Sequence, residues 1–196
     1  MLVVCTGNVS RSPMTQLLLQ AWSDPNADLM VETAGVHALV GQPMDRGAAS
    51  VMGQLGLDPS RHRARQFEPE MAAAADLVLT AERYQRETVL ERAPSAMRRT
   101  FTIKEFARIA PHLRASDPRE AVAQAATLRG LVRRPTDPAA DDVDDPHRQP
   151  AAVNRAVAAE LTAAVKAILD GLGFSARSAP PAGLASQACR PLPYRR

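Results

Sequence analysis

The sequence predicts an α/β fold in which helices cover both faces of a parallel sheet. Short apolar runs recur at residues 1–4, 29–36, 75–80 and 99–103, and segments with helix signals stand between them. Strands that alternate with helices build βαβ units, whose crossovers lie over the faces of a parallel sheet. The first run also ends at Cys5 and passes through Gly7-Asn8 into Ser12-Pro13, the layout of a loop joining a buried strand to a helix.

Each element has its own signal. Residues 1–4 are short for a central strand, which usually has about five or six residues. Residues 12–22 read as a helix: Ser12 suits the cap, Pro13 the first position, and Leu17, Leu18, Leu19 and Trp22 give an apolar stripe. Residues 46–55 form a helix ended by Gly56, and residues 82–92 a charged helix. The strand at 99–103 runs into a short helix reaching Ala110. Residues 119–131 are helical but polar, residues 135–150 a loop rich in Pro and Asp, and residues 153–172 an Ala-rich amphipathic helix stopped by Gly173. Residues 1–173 are thus expected to form one domain. Residues 174–196, rich in Pro, Ala, Ser and Arg, are expected to be a disordered tail.

Composition narrows the function. The net charge is only +3 over 196 residues, and the arginines are dispersed rather than clustered on one element, so a nucleic-acid partner is not expected. No apolar run reaches the roughly 18 residues of a membrane span. The opening residues do not make a secretory leader. Two cysteines, Cys5 and Cys189, give no disulfide framework. A cytoplasmic protein without cofactor or metal is the expectation.

The chemistry lies in Cys5-Thr6-Gly7-Asn8-Val9-Ser10-Arg11-Ser12-Pro13. A loop that leaves a strand and enters a helix aims backbone N–H groups into one concavity, which the helix N-terminus makes more positive. Gly7 is expected to take a positive φ at the tight bend. Arg11 adds a planar fork suited to two phosphate oxygens. Cys5 stands at the base of that bowl, where a positive field favours thiolate, and a thiolate there can attack phosphorus. Free cysteines are often merely small buried residues. Here the glycine, asparagine, serine and proline at strand-loop-helix spacing favour the reactive reading.

This segment resembles the phosphate-binding loop of the low-molecular-weight protein tyrosine phosphatases, with its pattern C-x-G-N-x-C-R-S-P. Thr33-Ala34-Gly35, Pro43-Met44-Asp45, His62-Arg63-Ala64-Arg65-Gln66, the stretch from Asp76 to Leu79, and Asp145-Pro146 match further segments of the family, so the similarity spans about residues 1–172. It implies a four-stranded parallel sheet flanked by helices on both faces, with the phosphate-binding loop after the first strand. It implies hydrolysis of phosphate monoesters, with protein phosphotyrosine as substrate, through a phosphocysteine on Cys5. Arg11 would clamp the phosphate, and Thr6, Gly7, Asn8, Val9, Ser10 and Ser12 would bind it. Ser12 would also donate a hydrogen bond to the Cys5 thiolate. Asn8 would hold the loop shape, supported by Thr33 and His62. From the residues alone, His62 is a solvated loop histidine among Arg61, Arg63 and Arg65; the resemblance gives it the supporting role.

The general acid is Asp145 by position. Asp-Pro occurs at Asp24, Asp58, Asp117, Asp137 and Asp145, so the dipeptide carries no signal. Only Asp145 stands just before the last long helix, as in the family. Asp141, Asp142 and Asp144 read as a solvated acidic loop. Three departures matter. Ser10 replaces the second loop cysteine, which spares the chemistry. His147 and Arg148 replace the aromatic residues usual after the acid-loop Asp-Pro, and the loop after the second strand offers only Ala38-Leu39-Val40, so modest aryl-phosphate activity with weak tyrosine preference is expected. Arg148 is placed to attract an acidic group on the substrate. Residues 111–140 form a longer segment than usual, expected to add a helix near the acid loop. Two other functions fit Cys5 and Arg11: an arsenate reductase using an external thiol, and a non-catalytic phosphoprotein-binding module. Asp145 favours the phosphatase over both. Oligomeric state is not legible.

Overall fold

The computed structural model describes residues 1–174. Strands β1 (Leu2–Cys5), β2 (Glu32–Gly35), β3 (Val78–Thr80) and β4 (Thr100–Thr102) pair in parallel in the order β2-β1-β3-β4. The helices are α1 (Arg11–Trp22), α2 (Arg46–Gln54), α3 (Pro69–Ala74), α4 (Arg83–Arg92), α5 (Ile103–Ile109), α6 (Pro118–Leu128) and α7 (Ala151–Gly171). Alternation along β1 sends Val3 and Cys5 to one face and Leu2 and Val4 to the other. The larger core joins Val3, Leu79 and Phe101 to Leu18, Phe106 and Leu161 from α1, α5 and α7. The smaller one packs Leu2, Val4 and Val78 against Phe67, Ala72 of α3 and Val89 of α4. With both faces covered, the chain leaves β1 toward β2 on one side and then crosses to β3 on the other. A crevice forms at that reversal, outside the carboxyl ends of the strands, where open α/β sheets bind ligands.

The predicted strands are all present, but several are shorter than their apolar runs. The run at 29–36 pairs only as Glu32–Gly35, and the run at 75–80 only from Val78. Helix α1 starts at Arg11, so Ser12 lies inside it rather than at its cap, and Ser10 in the capping position makes no side-chain cap bond. Helix α3 was not anticipated: Pro69–Ala74 is six residues with no apolar stripe to signal it.

The added helix of the long segment, α6, is not near the acid loop. Arg119 pairs with Asp76 at 3.0 Å, just before β3, and Arg129 donates to the carbonyl of Thr100 at the start of β4. Helix α6 therefore sits at the amino ends of the strands, opposite Cys5. Phe174 packs against the larger core. The rest of the expected tail, with Cys189, lies outside the described residues.

Candidate active site

β1 delivers Cys5 to the crevice, and residues 6–10 turn there before α1 begins. The carbonyls of Cys5, Thr6, Gly7, Val9 and Ser10 accept from the amides of Val36, His37, Leu39, Asp45 and Met14 at 2.8–3.0 Å, and that of Asn8 from Nε2 of His62 at 2.6 Å. In a trans peptide the N–H points away from the preceding C=O. Six carbonyls tied to donors outside the loop therefore turn the amides of residues 6–11 inward. Those of Gly7, Asn8, Val9 and Ser10 donate to no acceptor among the described residues. The loop also needs β2 to come close. A Cβ on Gly35 would lie 2.4 Å from the carbonyl oxygen of Thr6, a distance that backbone cannot relieve without moving the loop.

The bend itself is made by Asn8, at φ 54°, and not by Gly7, whose φ is not positive. Asparagine tolerates the left-handed region through its short polar side chain, and here that side chain is committed. Oδ1 of Asn8 accepts from the amide of Arg65 at 2.8 Å, and Nδ2 donates to Oγ of Ser12 at 2.9 Å. Ser12 Oγ is in turn 3.0 Å from Sγ of Cys5. Because Ser12 already accepts from Asn8, its own proton is free to point at the sulfur. Thr33 does not support Asn8 directly. It is buried on β2 and its carbonyl accepts from Nε of Arg65 at 2.6 Å, so Arg65 is the bridge. His62 is not solvated: it is half-buried against the loop, and burial lowers its pKa below the ordinary 6.5, with Arg63 and Arg65 adding to the effect and the bond to Asn8 opposing it.

Arg11 is 2% exposed. One terminal nitrogen, Nη1, pairs with Glu82 and donates to the carbonyl of Val143 at 2.9 Å, while Nη2 donates to Oδ2 of Asp145 at 3.0 Å. Nε of Arg11 and Oγ of Ser10 are buried with no partner among the described residues. A buried polar group left unpaired costs about 1–3 kcal/mol. Two such donors beside inward amides and a thiol make a site suited to a tetrahedral oxyanion. Cys5, Val9, His37, Leu39, Asp145 and His147 complete the lining of this cavity of about 200 Å³.

The acid loop is pinned from several sides. Val143 donates its amide to the carbonyl of Ala81 at 2.8 Å. Asp141 pairs with Arg108 and Asp142 with Arg83, so these two carboxylates are neutralised anchors and not a solvated cluster. Asn154 of α7, fully buried, donates to the carbonyls of Pro146, Gln149 and Pro150.

The structure thus brings Cys5, Arg11 and Asp145 together. It adds Glu82, Gln85, Arg65, Asn154 and His37, none of which the sequence reading selected. Glu82 and Gln85 directly follow β3, and Gln85 donates to Oγ1 of Thr6 at 3.1 Å. Their place at the carboxyl end of a parallel strand is the signal that identifies them. His37 has its Nε2 3.0 Å from the hydroxyl of Tyr84.

A strand-loop-helix anion site beside a cysteine, at the switch point of a four-stranded parallel sheet, defines the class: an α/β protein built to hold a phosphoryl group. Residues 1–129 match the family described as low molecular weight phosphotyrosine protein phosphatase, and the chain belongs to that family of hydrolases. It is 39% identical over 105 residues to the probable low molecular weight protein-tyrosine-phosphatase EpsP of Ralstonia nicotianae, covering 54% of this chain and 70% of that protein. It is 36% identical over 105 residues to a protein-arginine-phosphatase of Geobacillus stearothermophilus, covering 54% of this chain and 69% of that one. The crystal structure of a low molecular weight protein tyrosine phosphatase from T. tengcongensis superposes with a TM-score of 0.67 at 29% identity, over 87% of this chain and 97% of that one.

Proposed function

We propose that the chain hydrolyses protein phosphotyrosine through a phosphocysteine on Cys5. The observation that carries this reading is the ring of six carbonyls tied outside the loop, which leaves amides and the unpartnered Nε of Arg11 directed at one anion beside Sγ. In the first step the Cys5 thiolate bonds to phosphorus as the ester P–O bond breaks, and Asp145 gives its proton to the departing oxygen. Loop amides and Arg11 hold the equatorial oxygens, where charge gathers in phosphoryl transfer. In the second step the Asp145 carboxylate takes a proton from water, whose oxygen bonds to phosphorus as the S–P bond breaks, releasing inorganic phosphate and the thiolate. Ser12 stabilises that thiolate, and Glu82 fixes Arg11. The need for a reduced thiol is consistent with a cytoplasmic setting.

The lining favours an aryl ester over a phosphorylated arginine. Among the described residues it holds one carboxylate, Asp145, whereas a guanidine leaving group gains from more negative charge; the other walls are Val9, Leu39, His37 and His147. The test is a panel of phosphotyrosine, phosphoserine, phosphoarginine and arsenate with the parent and Cys5→Ser. The parent is expected to turn over phosphotyrosine, and Cys5→Ser to bind phosphate or vanadate without turnover. Undiminished hydrolysis by Cys5→Ser would overturn the covalent route, and thiol-dependent arsenate reduction without ester hydrolysis would replace the phosphatase reading.

A further inference from the structure

A second groove, of about 830 Å³, opens directly beside the catalytic cavity and shares Val9, Leu39 and His147 with it. Arg46, Arg148, Gln42 and Gln149 also line it. All four are exposed, and among the described residues neither arginine makes an ion pair or side-chain hydrogen bond. The one carboxylate in the groove is already occupied. Asp45 accepts from the amides of Gly47 and Ala48 at 3.0 and 3.4 Å, and its other oxygen lies 3.1 Å from Nδ1 of His147. The groove therefore sets two arginines against one carboxylate and carries net positive charge beside the cavity that holds Cys5. Its backbone is unusual at the same place. Arg148 (φ 57°) and the loop residue Asn8 (φ 54°) are the only non-glycine residues of positive φ among the described residues. Such conformations are strained and gather at ligand sites.

We propose that this groove is a subsite for a carboxylate side chain flanking the phosphorylated residue of a protein substrate, held by Arg46 and Arg148. The proposal rests on the phosphatase reading of Cys5 and extends it to substrate choice. Sequence context near the phosphate would then be read by charge, with the exposed amides of Gln42 and Gln149 available to peptide backbone. Two exposed pairs of ordinary strength give about a three- to tenfold preference at low salt, and 0.5 M salt, with a Debye length of only a few ångströms, removes most of it.

The experiment compares phosphotyrosine peptides carrying glutamates or alanines on either side, with a small aryl phosphate as reference, for the parent and for Arg46→Gln/Arg148→Gln. The expected result is a lower KM for the acidic peptides in the parent, at similar kcat, lost in the double variant and in 0.5 M salt. Hydrolysis of the small aryl phosphate should be unchanged by the double substitution. If the parent hydrolyses the aryl phosphate but treats acidic and neutral peptides alike, or if the double variant keeps the preference, the subsite is refuted while the phosphatase reading stands. Loss of all activity on aryl phosphate in the parent would instead remove the reading on which the subsite rests.

Discussion

Four of the five aspartates that precede a proline do local work. Asp24 and Asp58 accept from the amides of Asn26 and Ser60, two residues on, while Asp117 and Asp137 cap helical turns. Asp145 makes the same local bond, from the amide of His147 at 3.1 Å, but its second oxygen reaches Arg11. That one contact separates Asp145, the proposed acid, from its look-alikes. Asp145→Ala is expected to slow substrates with poor leaving groups by roughly 10²–10⁴-fold, and those with good leaving groups far less. Asp144→Ala should change neither, because Asp144 is exposed and makes no bond among the described residues; steady-state rates across a leaving-group series check both. The wall of the cavity is also a matter of single residues. His37 supplies a planar ring that the reading of Ala38-Leu39-Val40 passed over, and the hydroxyl of Tyr84 steadies it. Ring packing contributes about 0.5–1.5 kcal/mol. His37→Ala should therefore raise KM for aryl phosphates by about two- to tenfold with little change in kcat, and Tyr84→Phe should give a smaller rise. Equal KM in parent and His37→Ala would show that the ring does not face the substrate.

At the scale of elements, the loop after β1 was legible because its chemistry is contiguous. Cys5, Asn8, Arg11 and Ser12 lie within eight residues, and their spacing on a strand-loop-helix unit already implies where each points. The parts that hold it were not legible. The donors to its carbonyls come from positions 36 to 62 and from α1, Arg65 bridges Asn8 to β2, and Glu82 meets Arg11 across 71 residues. Polar residues of this kind look like ordinary surface until the fold assembles them. Gly35 is an intermediate case: its segment was recognised, but the reason for glycine is the approach of Thr6, which only packing reveals. The acid loop shows the same division. Position in the chain pointed to Asp145, which the fold places against Arg11, whereas the support of the loop by Asn154 was invisible inside the Ala-rich helix α7. Removing that side chain takes away the donor that ties the carbonyls of Pro146, Gln149 and Pro150 to α7, while Pro146 keeps its bond from the amide of Gln149, so the cost is that of lost hydrogen bonds, about 0.5–1.5 kcal/mol. Asn154→Ala is expected to lower stability by that amount and to reduce kcat most for poor leaving groups, the signature of a misplaced acid. A stability loss without leaving-group dependence would confine Asn154 to a structural role.

The whole molecule keeps its two cores on opposite faces of a small sheet and gathers the reactive groups at one end, with the added helix α6 at the other. Stability and function meet where distant segments close around the loop, and His62 is one of those closures. Its Nε2 donates to the carbonyl of Asn8, so the other nitrogen need carry no proton, and burial holds the folded pKa below the ordinary 6.5. In the unfolded chain the same imidazole titrates near 6.5. Between the two values the unfolded state binds more protons than the folded one, so stability rises with pH there. The contribution is complete above about 6.5 and is lost as pH falls through that value toward the lower folded pKa. Acid then acts on the loop as well as on the fold, because protonated His62 faces Arg63 and Arg65. Urea midpoints measured at pH 7.5, 6.5 and 5.5 should fall across the acidic half of that range. His62→Gln retains a donor for Asn8 but does not titrate, so it should flatten the decline while keeping most of the activity, whereas His62→Ala should flatten it and also loosen the loop. Carboxylates do not account for this window, because they titrate mainly below it. An unchanged slope in His62→Gln would mean that another group carries the acid sensitivity.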